Sequence, residues 1–270
     1  MTIDAVAEVL RERAATLRAE FVRRVPDGAT RARQLDAVIV GLARDLGDVA
    51  PLLPGRIESI GGLFRSWRCV MYENDSTDGT AEALDSWQHP SACVVHGSKG
   101  PGWPRHASTL DAFRLRQMAW YRAHVREMSL RLPPADVYIV IDTDFAGDPP
   151  LDGIRHSMSS WGAWDAVFAF DARASYPHWI GDLFAYEEIP ENKGRRWPQQ
   201  FGAPLIPVLS AFGGMGIYTR AAWLAGDYEA ERPPRHFEHL AFHDSMRRGG
   251  RDRLYLNPSM VTLPHSPVPE

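Results

Sequence analysis

The amino-acid sequence predicts an α/β fold with a mixed, mostly parallel β-sheet that is flanked by helices. From about residue 36 to residue 142, short apolar segments typical of buried strands alternate with segments of helical periodicity. This alternation is characteristic of parallel strands joined by right-handed crossovers. A second observation, an amphipathic segment at the N terminus, predicts a helix that precedes the sheet.

Residues 3–24 form the predicted N-terminal amphipathic helix. Its apolar face consists of Val6, Leu10, Ala14, Leu17 and Phe21. The Pro-Asp-Gly sequence at residues 26–28 is expected to end this helix. We therefore interpret residues 1–30 as a helical extension that packs on the domain or joins two copies in a homodimer, and residues 31–270 as a single domain.

Strands and helices of the domain are predicted in a regular order. The predicted strands are 36–43, 68–73, 93–95, 136–142, 165–170 and a last one within 253–265. The predicted helices are one that ends near Phe64, one capped by Thr77 or Asp78, one at 108–131 and one that begins near Glu238. Ligands of parallel sheets gather outside the carboxyl ends of the strands, so polar residues there are the candidate site.

Composition and charge restrict the classes of function. The chain has 270 residues, 44% hydrophobic and 24% charged, as in ordinary globular domains. A formal net charge of −4 provides no basic field, so no nucleic-acid partner is expected. No segment reaches the roughly 20 apolar residues of a membrane span, and no signal peptide is evident, so we expect a cytoplasmic protein that does not span a membrane. Cys69 and Cys93 match no metal or redox spacing and are expected to be buried.

The segment VYIVIDTDFAG, residues 137–147, ends a predicted buried strand on Asp142 and Asp144. Two like charges this close are costly to hold together unless a cation lies between them. Asp is also common in turns, so a simple turn at the strand end is one interpretation. The functional interpretation is a divalent cation between the strand end and a phosphorylated ligand.

A second polar segment, YENDSTDGT at residues 72–80, follows another predicted strand at the same edge. Glu73, Asn74 and Asp75 could hydrogen-bond to the base and ribose of a nucleoside. Alternatively, Asn74 and Asp75 only form a turn and cap the next helix. This motif alone leaves both interpretations open.

Together, these motifs resemble the nucleotide-sugar half of GT-A (Rossmann-like) glycosyltransferases, most nearly the fungal capsular α-mannosyltransferases and their bacterial relatives. The first motif of that group has the spacing Tyr-Glu-x-x-Ser-x-Asp-x-Thr, which is matched by Tyr72, Glu73, Ser76, Asp78 and Thr80. The helix before the acidic triplet carries Met118, Ala119 and Arg122 of the typical run. Two positions depart from the pattern, Ala123 and Asp45, where asparagine is usual. The resemblance covers about residues 35–262.

The resemblance implies a hexosyltransferase, with a nucleotide-sugar half at residues 31–148 and an acceptor half at 149–270. The implied donor is GDP-mannose or a UDP-sugar, and the implied acceptor is a hydroxyl of a glycan, a lipid-linked sugar or a small molecule. Mn²⁺ or Mg²⁺ would stabilise the departing diphosphate. The implied metal ligands are Asp142, Asp144 and His265. The implied nucleotide-sugar residues are Ala43, Arg44, Glu73, Asn74, Asp75, Arg122 and Thr143.

Acceptor recognition is expected in the second half of the chain. The pair Gly213 and Gly214 lacks side chains and could let a sugar approach the backbone, although a turn is an equal alternative. Trp179, Tyr186 and Trp197 could stack on sugar faces, but a core position is the stronger expectation for each. We assign Trp179 and the glycine pair to the sugar site.

Glu238 stands at a predicted helix start and is followed by His239. By the resemblance, an acid here faces the acceptor: in an inverting enzyme it takes the proton of the attacking hydroxyl, and in a retaining enzyme it binds hydroxyls. We assign the catalytic role to Glu238 and a sugar contact to His239. His239 and His243, with His236 nearby, also have a chelating spacing, but no zinc motif supports them.

Two other classes of function stay open. Haloacid-dehalogenase-like phosphatases also end a buried strand on Asp-x-Asp and use the first Asp as nucleophile. In those enzymes the motif normally lies near the first strand, whereas three predicted strands precede it here. A non-catalytic nucleotide-sugar-binding module would keep the glycines and aromatic residues but would not need the acidic triplet together with Glu238.

Overall fold

The computed structural model describes residues 3–97, 112–172, 184–194, 200–229 and 237–263. Within these ranges the strands are β1 (Asp36–Ala43), β2 (Ser66–Glu73), β3 (Ala92–His96), β4 (Val137–Asp142), β5 (Ala166–Asp171), β6 (Glu187–Glu188), β7 (Ile206–Ser210), β8 (Met215–Thr219) and β9 (Leu254–Thr262). The α-helices are α1 (Ile3–Ala32), α2 (Leu53–Gly61), α3 (Thr80–Asp85), α4 (Ala112–Arg131), α5 (Leu151–Met158), α6 (Arg220–Ala225) and α7 (Glu238–Arg248). Short 3₁₀ helices cover Gly47–Leu52 and Pro190–Asn192.

The strands form a single sheet in the order β3-β2-β1-β4-β8-β5-β9-β7-β6. β1 pairs in parallel with both β2 and β4, whereas β8 is antiparallel to both β4 and β5. β7 is likewise antiparallel to its neighbours β9 and β6. All strands except β7 and β8 therefore share one direction, which confirms the predicted mixed, mostly parallel sheet.

Both faces of the sheet are buried against helices. Ile39 of β1 packs with Ile57 of α2 and Ile154 of α5 in one apolar cluster, whereas Val38 packs on the opposite face with Val125 of α4 and Phe242 of α7. Side chains alternate between the faces of a strand, so a run such as Val38 to Val40 must be apolar at every position. This double burial explains why β1 and β4 were readable as continuous apolar runs.

The N-terminal helix is longer than predicted. It passes through Pro26 and ends at Ala32, so the expectation that residues 26–28 close it was wrong. A Cβ at Gly28 would lie 1.6 Å from the carbonyl oxygen of Arg155 in α5, which shows how closely the two helices cross. Packing against the domain offsets the hydrogen bond that proline removes. Pairing of α1 with a second copy stays a prediction, as do the proposed domain boundaries.

The carboxyl ends of three strands meet at one edge of the sheet. In register, Ala43 of β1 lies opposite Glu73 of β2, and Leu42 lies opposite Asp142 of β4. The two polar motifs therefore lie on either side of the end of β1, at the edge that the parallel pattern predicts.

Two smaller expectations were wrong. The N-cap residue of α3 is Gly79 rather than Thr77 or Asp78, although Oδ1 of Asp78 still accepts the Thr80 N–H at 3.1 Å. Cys69 is buried as expected, but Cys93 is exposed because β3 is the edge strand of the sheet.

Candidate active site

A cavity of about 330 Å³ opens at the edge where β1, β2 and β4 end. Its walls include predicted site residues from both halves of the chain: Ala43, Arg44, Asn74, Arg122, Asp142, Thr143, Asp144, Glu238 and His239. The tertiary structure thus brings the two polar motifs and the start of α7 into one site.

The acidic triplet is anchored on both sides. The backbone N–H of Asp142 donates to the carbonyl of Gly214 at 2.8 Å, and the hydroxyl of Thr143 donates to the carbonyl of Leu42 at 2.6 Å. Thr143 is buried by this contact, whereas Asp144 is exposed at the cavity wall. The two carboxylates are therefore presented by a fixed backbone.

Arg122 is the buried cation of the site. It is 3% exposed, and its Nη2 lies 2.5 Å from Oδ1 of Asp142. Its Nε and Nη1 have no hydrogen-bond partner in the described part of the chain, and its guanidinium lies 5.4 Å from the ring centroid of Phe212. Burial opposes the charge of Arg122, but the carboxylates of Asp142 and Glu238 outweigh it and raise the arginine pKa. A charged group with unsatisfied donors is suited to an anionic ligand.

Two residues of the first motif, Asp78 and Thr80, stabilise a loop rather than line the cavity. The hydroxyl of Thr80 accepts the Leu46 N–H at 2.8 Å, and Oδ2 of Asp78 accepts the Gly47 N–H at 2.6 Å. These bonds tie the segment after β1 to the segment after β2. They position Arg44, which precedes the bonded residues and lines the cavity.

Neighbouring residues of the second strand end have different roles. Oε1 of Glu73 accepts the Ser76 N–H at 2.9 Å, and Oε2 lies 2.8 Å from Nδ1 of His96. Asn74 is 3% exposed and lines the cavity, and its Nδ2 has no partner among the described residues. Asp75 adopts a left-handed backbone with φ of 56°. Of these three nucleoside candidates, Asn74 is the one that the structure places on the cavity wall, whereas Glu73 stabilises the loop.

Glu238 and His239 begin α7 and reach the cavity from the opposite half of the sheet. The Glu238 side chain is 11% exposed, so its carboxylate is held near the wall. His239 stacks on Phe212 with ring centroids 3.7 Å apart. Burial, followed by the charge of Arg122, lowers the pKa of His239 well below its usual value, so the 3.9 Å approach to Glu238 is not an ion pair.

Gly213 and Gly214 form the turn that precedes β8. Both have positive φ, 58° and 77°, and a Cβ at Gly213 would lie 2.2 Å from the carbonyl oxygen of Ala169. They are not among the residues of the cavity wall, but Gly214 accepts the backbone N–H of Asp142. The observed contribution of Gly214 is to hold the triplet, which favours the turn interpretation.

The structure does not favour the zinc interpretation. Both ring nitrogens of His243 are engaged in the core, by Ser210 at 2.7 Å and Tyr218 at 3.0 Å. No group of three or more His, Cys, Asp or Glu side chains with metal-site geometry occurs among the residues that the structure describes. The predictions for Trp179 and His265, and the remarks on Trp197 and His236, concern positions that lie outside the described residues.

Several wall residues were not singled out from the sequence. Arg114, Leu115 and Tyr121 lie on α4, and their helical spacing from Met118 and Arg122 was a readable signal. The aromatic residues Phe184, Phe212 and Phe237 carried no comparable signal, because their segments are brought to the cavity only by the fold.

Arg56 of α2 is a further residue that the sequence did not reveal. It is buried, and its guanidinium donates to the carbonyls of Phe145 at 2.8 Å and Ala146 at 3.4 Å. These carbonyls directly follow Asp144, so Arg56 holds the turn that carries the second carboxylate.

No family model and no curated protein matches this sequence. Solved structures do match the fold. A mannosyltransferase, PcManGT from Pyrobaculum calidifontis in complex with GDP-Man and Mn²⁺, aligns over 98% of this chain and 69% of its own with a TM-score of 0.53 at 12% identity. S. aureus TarS 1-349 in complex with UDP-GlcNAc aligns over 87% of this chain and 60% of its own, with a TM-score of 0.54 at 12% identity. The chain has the GT-A glycosyltransferase fold.

A third match to the GT-A fold is GalNAc-T7 with UDP, GalNAc and Mn²⁺, at a TM-score of 0.52 and 10% identity. It aligns over 86% of this chain but only 43% of its own length. At these identities the likeness concerns the fold, which confirms the fold predicted from the sequence. Among the described helices, none combines the length and the apolar character needed to cross a membrane.

Proposed function

We propose that this protein is a metal-dependent glycosyltransferase that moves a hexose from a nucleoside-diphosphate sugar to an acceptor hydroxyl. The observation that carries the proposal is a single cavity of a GT-A fold, lined by Asp142, Asp144, Asn74, Arg122 and Glu238. These residues supply, in one place, carboxylates for a cation, donors for a nucleotide and a carboxylate for the acceptor.

Donor binding is assigned to the wall formed by the ends of β1 and β2 and by α4. Arg44, Arg114 and Arg122 line it, and their charges complement those of a diphosphate. The amide of Asn74 supports a hydrogen bond to the nucleoside, because its Nδ2 is buried without a partner in the described chain. The resemblance to capsular α-mannosyltransferases makes GDP-mannose the first donor to test, followed by UDP-sugars.

A divalent cation, Mn²⁺ or Mg²⁺, fits the triplet because carboxylate oxygens are suitable ligands for both. Asp144 is exposed at the cavity wall, whereas Asp142 binds the buried Arg122, so we assign Asp144 as the direct ligand and Asp142 as its support. Because no group of three or more His, Cys, Asp or Glu side chains with metal-site geometry occurs among the described residues, we assign the remaining coordination positions to diphosphate oxygens and water. When bound, the cation would stabilise the negative charge of the departing diphosphate. A role of His265 as a further ligand remains part of the proposal.

Acceptor activation is assigned to Glu238. In an inverting reaction its carboxylate takes the proton of the attacking hydroxyl, and in a retaining reaction it binds a hydroxyl of donor or acceptor. His239 lies beside it as a neutral ring, so it can accept or donate one hydrogen bond to a sugar. Trp179 remains a proposed sugar contact.

The proposal is tested by incubating the protein with a panel of GDP- and UDP-sugars, with and without Mn²⁺, and measuring released nucleoside diphosphate. Metal-dependent release that Asp144→Ala abolishes is the expected result. A binding module would bind a nucleotide sugar without turnover. A phosphatase would instead release phosphate from phosphomonoesters, and the GT-A fold gives no support to that alternative. The absence of binding and turnover with every donor would contradict the proposal.

A further inference from the structure

The two sides of the cavity differ chemically. The side formed by the ends of β1, β2 and β4 presents carboxylate, amide and guanidinium groups. The other side is formed by Phe184 and Ala185 before β6, Phe212 after β7 and Phe237 before α7. Among the described wall residues on that second side, the polar ones are Glu238 and His239.

A series of contacts connects the acidic triplet with this apolar side. Arg122, which binds Asp142, lies over the ring of Phe212, and Phe212 stacks on His239. Phe237 precedes Glu238 in the chain, and its ring lies 4.9 Å from that of Phe184, centroid to centroid. Phe184 and Phe237 therefore share the cavity wall with Glu238, the proposed proton acceptor, which directly follows Phe237 in the chain.

The exposure of Phe184 indicates what this pair binds. Phe184 is 45% exposed although it is a large apolar side chain at the cavity wall. A phenylalanine ring has no hydrogen-bonding group, whereas each sugar hydroxyl that leaves water needs a partner. The rings of Phe184 and Phe237 offer no hydrogen-bond partner to the hydroxyls of a second sugar. An apolar group loses nothing there and gains contact with two rings.

We propose that Phe184 and Phe237 bind an aryl or alkyl aglycone, so that the acceptor is a hydroxyl compound with an apolar group beside the reacting hydroxyl at Glu238. This inference rests on the proposed glycosyltransferase function and specifies its acceptor class. It distinguishes an amphipathic acceptor from a free oligosaccharide.

Matched methyl and p-nitrophenyl glycosides of the same sugars test the inference, because they differ only in the aglycone. With a donor found in the nucleotide-sugar panel, kcat/KM for transfer should be roughly tenfold higher for the p-nitrophenyl glycoside. Phe184→Ala and Phe237→Ala should remove this preference while leaving the KM for the donor unchanged. Phe201→Ala is the matched control, since Phe201 is 46% exposed and packs on Phe21, outside the residues of the cavity wall.

Equal kcat/KM for the two glycosides, or an equal loss for both in Phe184→Ala, would overturn the inference while leaving glycosyl transfer intact. Saturation-transfer NMR without any donor provides a second readout. Aglycone protons of the p-nitrophenyl glycoside should receive more saturation than sugar protons in the wild type and in Phe201→Ala, but not in Phe184→Ala. If the aglycone receives no more than the sugar in the wild type, the apolar subsite is excluded even where no donor is turned over.

Discussion

Nη2 of Arg122 lies 2.5 Å from Oδ1 of Asp142, and the arginine is buried while the carboxylate faces the cavity. The contact joins α4 to the end of β4 and occupies one oxygen of the acidic triplet. Nε and Nη1 of the same guanidinium have no partner in the described chain. This one side chain thus contributes both to the geometry of the proposed metal site and to its capacity for an anion.

Replacing Arg122 with methionine should affect both stability and binding. Asp142 would lose its charged partner, and we expect the free energy of unfolding to fall by about 1–3 kcal/mol. Affinity for GDP or UDP should fall roughly tenfold or more, since a charge-assisted contact is lost. Thermal unfolding and calorimetric titration measure the two effects. Arg122→Lys, which keeps the charge without the planar fork, should recover part of the stability but less of the affinity. Unchanged nucleotide affinity in Arg122→Met would show that the guanidinium only supports Asp142.

Asp144→Asn should remove the gain in nucleoside-diphosphate affinity that Mn²⁺ produces, because an amide is a weaker ligand for a hard cation. Sugar transfer should stop in EDTA and return when Mn²⁺ or Mg²⁺ is added. Asp148→Asn is the control, since Asp148 is an exposed acid shortly after the triplet and does not line the cavity. Full activity in the presence of the chelator would exclude the cation.

Glu238→Gln should keep donor affinity within a few-fold but lower transfer by roughly 10² to 10⁴, the usual effect of removing a positioned proton acceptor. A retaining enzyme would show a smaller loss, and NMR of the product anomer identifies which case applies. Glu187→Gln is a suitable control because the Glu187 side chain is 50% exposed and 3.8 Å from Arg247. Transfer at the wild-type rate in Glu238→Gln would show that Glu238 has no catalytic role and only places a charge at the start of α7.

Asn74 and Glu73 should behave differently despite their adjacency. Asn74→Ala should weaken nucleoside-diphosphate binding about tenfold with little change in stability, because Nδ2 has no partner among the described residues. Glu73→Gln should lower the free energy of unfolding by about 1–3 kcal/mol, since its buried carboxylate binds Ser76 and His96. Calorimetric titration and thermal unfolding of both variants measure these effects. Weaker nucleotide binding in Glu73→Gln, together with lower stability in Asn74→Ala, would assign Glu73 to the nucleoside site instead.

His96 should make stability depend on pH. Its hydrogen bond to Glu73, and then its contact with Asp85, raise the pKa of His96 above the ordinary value. Because the folded-state pKa is raised, the protonated histidine stabilises the fold fully below the unfolded pKa of about 6.5. This stabilisation is lost as pH rises through the folded-state pKa. The thermal midpoint should therefore fall between pH 6 and pH 9 by more in the wild type than in His96→Gln. Identical pH profiles would show that protonation of His96 does not strengthen its contacts with Glu73 and Asp85.

The local sequence pattern was sufficient to predict the strands β1 and β4, which carry the site. β1 and β4 are buried on both faces, so their unbroken apolar runs and polar exits could be recognised without any knowledge of their neighbours. The end of α1 could not be predicted in the same way. Pro26 and Gly28 disfavour a helix locally, and the helix continues where it packs closely against α5.

The sequence by itself determined an α/β sheet, the placement of acidic and amide residues at its carboxyl edge, and a helix that starts at Glu238. Only the tertiary structure decided which of these side chains face the cavity. Glu73 turns to Ser76 and His96, whereas Asn74 lines the wall. The tertiary structure likewise brings the rings of Phe184 and Phe237 into contact. A side chain's direction depends on partners distant in the chain, and those contacts leave no periodic signal in the local sequence.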